Sequence, residues 1–263
     1  MSAVAEPSAQ ARRWLELRAA AAAVTFLTRI PVGRWIDVGG DDVARAGLVF
    51  PLVGAAIGAA VGGIAAALAG QVTPPLAAAI ALAAGAVLTG ALHLDGLADA
   101  ADAIGGQSRE RALEIMRDHA VGPYGVVALV LDLLIKGGAL ASLARHGHAV
   151  PFAVAAGALS RSTPVALSAT LPYARSTEGT AASLVRAKRW RATVAATIGL
   201  GIATLAARGD GLFVGACVAA VALCLYCGLR RWLGGVTGDT LGAAVELSEA
   251  TALVVAVALV GAG

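Results

Sequence analysis

His93-Leu94-Asp95-Gly96-Leu97-Ala98-Asp99-Ala100-Ala101-Asp102-Ala103-Ile104-Gly105-Gly106 follows a long run that contains no charged residue. Read as a helix, the stretch places Asp95, Asp99 and Asp102 at i, i+4 and i+7, on one face. Like charges at that spacing repel. A chain with only 14% charged residues gains no stability by gathering three of them there. A divalent cation between them is the simplest explanation. Gly96 and the alanines leave little bulk, which suits close approach of a metal and a phosphate. Mg²⁺ keeps waters and substrate phosphates in its shell, so an incomplete set of carboxylates fits its chemistry.

The apolar runs on either side of this stretch set the fold class. The chain has 263 residues, 58% of them hydrophobic, with a mean hydropathy of +0.79. A soluble domain would carry about a quarter charged residues. The long apolar runs instead predict an all-α, polytopic helical membrane bundle. About seven transmembrane helices are expected, near 43–69, 75–94, 121–144, 150–171, 192–207 and 211–229, with a last run at 250–262. That last run reaches membrane length only if its helix starts near Thr240 and carries Glu246 and Glu249. Pro51 and several glycines predict a kink or break in the first span.

Residues 14–30 read as a further N-terminal helix, interfacial or re-entrant, basic at both ends and stopped by Pro31. Residues 1–14 read as a flexible tail of a single integral membrane domain, 1–263. No cleavable signal pattern opens the chain, so the first spans are expected to anchor it. Gly and Ala dominate the spans, which predicts tight helix packing. Cys217, Cys224 and Cys227 share one apolar run and read as small buried hydrophobes. No basic stripe interleaved with aromatics points to nucleic acid.

The positive-inside rule tests this layout. Sixteen of the twenty Lys and Arg residues fall on one side: the N-terminal region through Arg45, then 109–117, 175–191 and 230–231. Only Arg145 and Arg208 fall on the other, and Lys136 and Arg161 lie inside spans. This predicts a multi-pass membrane protein with its acidic stretch facing the cytoplasm.

A second acidic group lies on that same side, in Gly234-Gly235-Val236-Thr237-Gly238-Asp239-Thr240-Leu241-Gly242-Ala243-Ala244-Val245-Glu246. Asp239 and Glu246 are i and i+7 on one helical face, with Gly242 and Ala243 between them. A competing reading has Asp239 capping a helix and the glutamates facing headgroups. Three cations attract attention. Arg117, beside the first acidic group, could clamp a phosphate through its planar fork or pair with Asp118 or Glu114. Lys136 and Arg161 are intramembrane ionisable residues, functional by default. Asp132, four residues before Lys136, is its competing partner, whereas Arg161 has none in its own span. The polar loop 172–191, with Arg175, Arg186, Lys188, Arg189 and Arg191, reads as a positive-inside signal and an attractor of anionic lipids or a nucleotide-bearing substrate. His93 is expected to point away from Asp95 and Asp99. Residues alone thus reach a cytoplasm-facing membrane enzyme using a divalent metal on a phosphate or pyrophosphate.

These motifs resemble the cobalamin synthase family, the adenosylcobinamide-GDP ribazoletransferases. The resemblance is carried by Phe26-Leu27-Thr28-Arg29-Ile30-Pro31-Val32, Phe50-Pro51-Leu52-Val53-Gly54, the stretch from His93 to Asp102, Leu113-Glu114-Ile115-Met116-Arg117-Asp118, and Gly235 to Glu246. It implies an Mg²⁺-requiring, multi-pass transferase of the bacterial inner (cytoplasmic) membrane that joins adenosylcobinamide-GDP to α-ribazole, or its 5′-phosphate, and releases GMP. The product is adenosylcobalamin or its 5′-phosphate. In that scheme Asp95, Asp99 and Asp102 hold Mg²⁺. Asp239 or Glu246 completes the site or accepts the hydroxyl proton, and Arg117, Arg161 and Lys136 are the candidate substrate contacts. The corrin ring is too large for such a bundle and is expected over the cytoplasmic mouth. The expected partners are these substrates and the lipid bilayer, with no nucleic acid; a homo-oligomer is left open.

Two other readings compete. A CDP-alcohol phosphotransferase also uses an aspartate-rich helix, but its pattern needs an Ala-Arg pair where Leu97-Ala98-Asp99 stands here. A cation transporter would place its acidic residues at the membrane midplane, not at one face.

Overall fold

The computed structural model describes residues 9–34, 36, 39–118, 120–175, 180–185 and 189–261. Residues 1–8 of the expected tail, and Arg186 and Lys188 of the basic loop, lie outside the described residues. Residues 9–14 are already helical, in α1 (Ala9–Leu27). Among the described residues the protein is all-helical, with a single bridge between Tyr173 and Val236 in place of any sheet.

α2 (Gly40–Ala46) and α3 (Phe50–Leu68) replace the expected first span, which breaks before Pro51. α4 (Pro74–Thr89) and α5 (Leu92–Ala103) follow, then the short α6 (Arg109–Ile115), whose first turn is capped by the Ser108 hydroxyl accepting the Arg111 N–H at 3.2 Å. The remaining helices are α7 (Pro123–Arg145), α8 (Ala149–Thr170), α9 (Thr180–Val185), α10 (Arg189–Ala207), α11 (Asp210–Trp232) and α12 (Gly238–Gly261). Proline stands in the first turn of α3, α4 and α7, where its missing N–H has no helical partner to lose.

Among the described residues, six helices are long and apolar enough to cross a membrane: α3, α7, α8, α10, α11 and α12. α4 and α5 reach that length only together, as a pair bent by 92°. Counting this pair gives the seven spans expected. α1 is not among them, in keeping with an interfacial or re-entrant helix. The bend sits at Gly90 and Ala91, both left-handed, with φ of +65° and +56°. Gly90 adopts that conformation freely, whereas a Cβ makes it unfavourable at Ala91. The Arg29 N–H donates to the Leu88 carbonyl at 2.8 Å, and the Arg29 side chain fills the space a Cβ on Gly90 would need. The expected continuous span over 75–94 therefore ends early, and α5 lies across the end of the bundle.

The bundle is built on small residues. α3 and α8 meet along Gly54, Gly58 and Gly157, where an added Cβ would overlap a carbonyl of the opposite helix. One apolar core lies toward the α5 end of the bundle, around Leu27, Phe50, Met116, Leu233 and Leu241. A second lies toward the opposite end, around Leu140, Leu143, Phe152 and Leu253. The outer faces stay apolar, as at Val127, Leu131 and Leu134 of α7, which suits hydrocarbon rather than water. Cys217 and Cys227 are half-buried and Cys224 is exposed on α11, so the expectation of buried cysteines is corrected.

Candidate active site

α5 and α12 touch backbone to backbone. A Cβ on Gly96 would stand 2.8 Å from the Asp239 carbonyl oxygen and 3.2 Å from the Gly242 Cα. A Cβ on Gly242 would stand 3.3 Å from the Gly96 Cα. The two acidic motifs thus cross glycine on glycine. Asp95 and Asp239 consequently line one cavity of about 320 Å³. His93, Tyr173, Arg175 and the stacked pair Phe26–Phe50, with centroids 5.6 Å apart, share its lining.

The start of α12 is held by a reciprocal cap. The Thr237 N–H donates to the Thr240 hydroxyl at 2.9 Å, and the Thr240 N–H to the Thr237 hydroxyl at 3.2 Å. This fixes Asp239 in the first turn. Asp99 lies half-buried on α5. Its burial, with the charges of Asp239, Asp95 and Asp102 around it, pushes its carboxyl up to about 6; Arg175 works in the opposite direction. No three His, Cys, Asp or Glu side chains close into a metal cage among the described residues.

Asp102 is differently engaged. Its oxygens accept the backbone N–H groups of Gly122 at 2.6 Å and Gly125 at 2.8 Å, at the N-terminus of α7. A Cβ on Gly122 would lie 2.5 Å from the Asp102 Oδ1, so the glycines make room for this carboxylate. Asp102 leaves the cavity wall to Asp95 and Asp239 and caps α7 from outside the helix.

The other predicted residues separate. Arg117 is exposed on the surface and does not line the cavity. Lys136 is buried in the bundle, 2.7 Å from Asp132 and paired also with Glu246 of α12. Arg161 pairs with Glu249. Glu246, two turns below Asp239, thus faces Lys136 and lies outside the cavity lining. Unpaired charges are too costly in the bundle interior for these groups to stay free. His93, expected to point away, is buried and does line the cavity.

Arg175 is the residue that sequence reasoning did not single out. Its Nη2 donates to the Asp239 Oδ2 at 2.6 Å and to the Met116 carbonyl at 3.1 Å. A two-residue ladder puts it there: the Ala174 N–H donates to the Val236 carbonyl at 2.8 Å, and the Val236 N–H to the Pro172 carbonyl at 2.9 Å. Arg109 clamps the same loops through the Leu233 carbonyl at 2.7 Å and the Ala174 carbonyl at 2.8 Å. The available signal was slight: a glycine pair, Gly234-Gly235, opposite the first arginine after a span.

Fold and site together define a polytopic membrane protein with a carboxylate-walled cavity at one end of its bundle. The chain belongs to the cobalamin-5-phosphate synthase family, whose sequence profile matches residues 19–257. Among relatives, the adenosylcobinamide-GDP ribazoletransferase of Leptothrix cholodnii is 40% identical over 240 residues, covering 88% of this chain and 91% of its own. The protein of the same name from Pseudomonas aeruginosa is 42% identical over 90% of this chain and 97% of its own. That from Escherichia coli is 38% identical over 87% and 94%. No solved structure matches the chain.

Proposed function

We infer that this protein is an adenosylcobinamide-GDP ribazoletransferase, a transferase of cobalamin biosynthesis. The observation that carries the site's part of this reading is the crossing of α5 and α12 at Gly96 and Gly242, which brings Asp95 and Asp239 to the wall of one cavity, with Asp99 close enough to feel both charges. A hydroxyl oxygen of α-ribazole, or of its 5′-phosphate, bonds to the phosphorus on the cobinamide side of the pyrophosphate. The bond from that phosphorus to the bridging oxygen breaks, and GMP departs with the electron pair. The hydroxyl proton leaves to the carboxylate wall.

The carboxylates fit a divalent cation. Asp99 is held above its ordinary range by burial and by the charges of Asp239, Asp95 and Asp102, and Mg²⁺ bound by one or two carboxylates keeps positions for water and phosphate. Asp95 and Asp99 would hold Mg²⁺ with Asp239 facing them, and the ion would neutralise charge on the pyrophosphate. Gly96 and Gly242 keep the wall thin, so the carboxylates stand close to the substrate. The stacked rings of Phe26 and Phe50 give one part of the cavity lining an apolar surface. A volume of about 320 Å³ accommodates a nucleoside-sized group, so the corrin ring stays outside the mouth. The mouth faces the cytoplasm, a reading supported by the one-sided distribution of Lys and Arg among the connecting segments of the sequence.

The test is direct. Membranes containing the protein, given adenosylcobinamide-GDP, α-ribazole and Mg²⁺, release GMP. Folded protein that releases none would overturn the reading. Asp99→Asn lowers turnover by about 100-fold or more, the scale of removing one preorganised charge partner, and leaves membrane insertion intact.

A further inference from the structure

We propose that Arg175 is the pyrophosphate-binding residue of this cavity and that it binds by leaving Asp239, so that metal and pyrophosphate enter by exchange across one ion pair. The proposal rests on the transferase reading above. It starts from a census of the cavity wall: Asp95 and Asp239 are its acids, and Arg175 is its sole Lys or Arg among the described residues. A pyrophosphate entering this space has no other lysine or arginine on the wall to meet.

Arg175 is also incompletely used where it stands. A guanidinium carries five N–H donors in a planar fork. Here Nη2 serves both Asp239 and the Met116 carbonyl, while the buried Nε has no hydrogen-bond partner. Bidentate capture of a phosphate uses two adjacent donors of that fork. An arginine with a spare buried donor, beside a cavity that must take an anion, is set to make that contact.

Asp239 is the other half of the argument. Its Oδ2 accepts from Arg175 and, at 3.3 Å, from the Thr237 hydroxyl. In this arrangement its charge is already neutralised and a cation gains little from it. A metal alone must displace a guanidinium from a 2.6 Å contact; a pyrophosphate alone must do the reverse. Together each ligand provides the partner the other displaces, so their binding is mutually reinforcing. The backbone permits this without a large movement. Ala174 is fixed to Val236 and to Arg109, so the Arg175 backbone stays anchored while its side chain turns. Both side chains of the pair keep partial exposure, 16% and 19%, so ligands can reach them.

The experiment measures Mn²⁺ binding by electron paramagnetic resonance on the detergent-solubilised full chain, without substrate, beside steady-state GMP release. Arg175→Gln binds Mn²⁺ about tenfold more tightly than wild type, because Asp239 is freed. The gain disappears in the Arg175→Gln/Asp239→Asn double variant. In the same Arg175→Gln protein kcat/KM for adenosylcobinamide-GDP falls about 100-fold. Arg175→Lys, which keeps the charge but not the fork, gives intermediate values on both arms and serves if the glutamine variant does not fold. Unchanged or weaker Mn²⁺ binding in Arg175→Gln, a gain that persists without Asp239, or undiminished turnover would each overturn the exchange. Wild-type protein that binds Mn²⁺ but releases no GMP overturns the transferase reading instead and leaves the Mn²⁺ comparison to decide the ion pair.

Discussion

Asp99 shows what a single carboxylate reports about its surroundings. A carboxyl pushed up to about 6 is ionised only above that pH, and a metal ligand must be ionised to bind. Mn²⁺ affinity of the wild-type chain therefore rises with pH through about 6 and then levels off, falling about tenfold for each unit below that point. Titration of Mn²⁺ binding across this range checks it, and Asp99→Asn should flatten the low-pH limb. A curve of unchanged shape in the variant would remove Asp99 from the metal's shell. Spacing alone made Asp95, Asp99 and Asp102 equivalent. It could not distinguish them, because what separates Asp102 is a pair of backbone N–H groups twenty and more residues onward. Arg175 was less legible still: its partner Asp239 is 64 positions away, and only its place as the first arginine after a span sets it apart from its basic neighbours.

At the level of the element, Asp102 belongs to α7 more than to the cavity. Asp102→Ala leaves the first N–H groups of α7 without their acceptor and costs about 1–3 kcal/mol. A lowered unfolding temperature in detergent would register this, with Mn²⁺ affinity changed by less than tenfold. Loss of Mn²⁺ binding at unchanged stability would assign the carboxylate to the metal after all. The helices themselves were largely readable, since long runs of Leu, Val and Ala have few alternatives in a bilayer. The helix that carries Glu246 and Glu249 was inferred from length alone, and α12 does start two residues before Thr240. The α4–α5 break was not readable. Gly90-Ala91 looks like any small pair in an apolar helix, and only the Arg29 side chain packed against it shows why the chain turns. Lys136 and Arg161 illustrate the same boundary. Their cost in the bundle interior was evident from sequence, but their partners on α12 depend on which helix lies alongside.

The whole molecule has a direction that chemistry can test. If sixteen of twenty basic residues mark the cytoplasmic face, Gln107 lies on that side and His146 on the other. In a background where Cys217, Cys224 and Cys227 are replaced, His146→Cys should react with a membrane-impermeant maleimide on intact cells. Gln107→Cys should react only after the membrane is opened. The reverse pattern would put the cavity on the outer face. The glycine crossing of α5 and α12 carries a consequence of another kind, in time rather than space. A chain threaded into the membrane from its N-terminus delivers Asp95 and Asp99 after the first spans, but Asp239 only once α12 has followed. Until then the cavity lacks one wall and Arg175 has no carboxylate to hold. The newborn protein cannot complete the carboxylate-walled cavity before the bundle has taken in α12, so whatever the cavity binds becomes a signature of completed insertion.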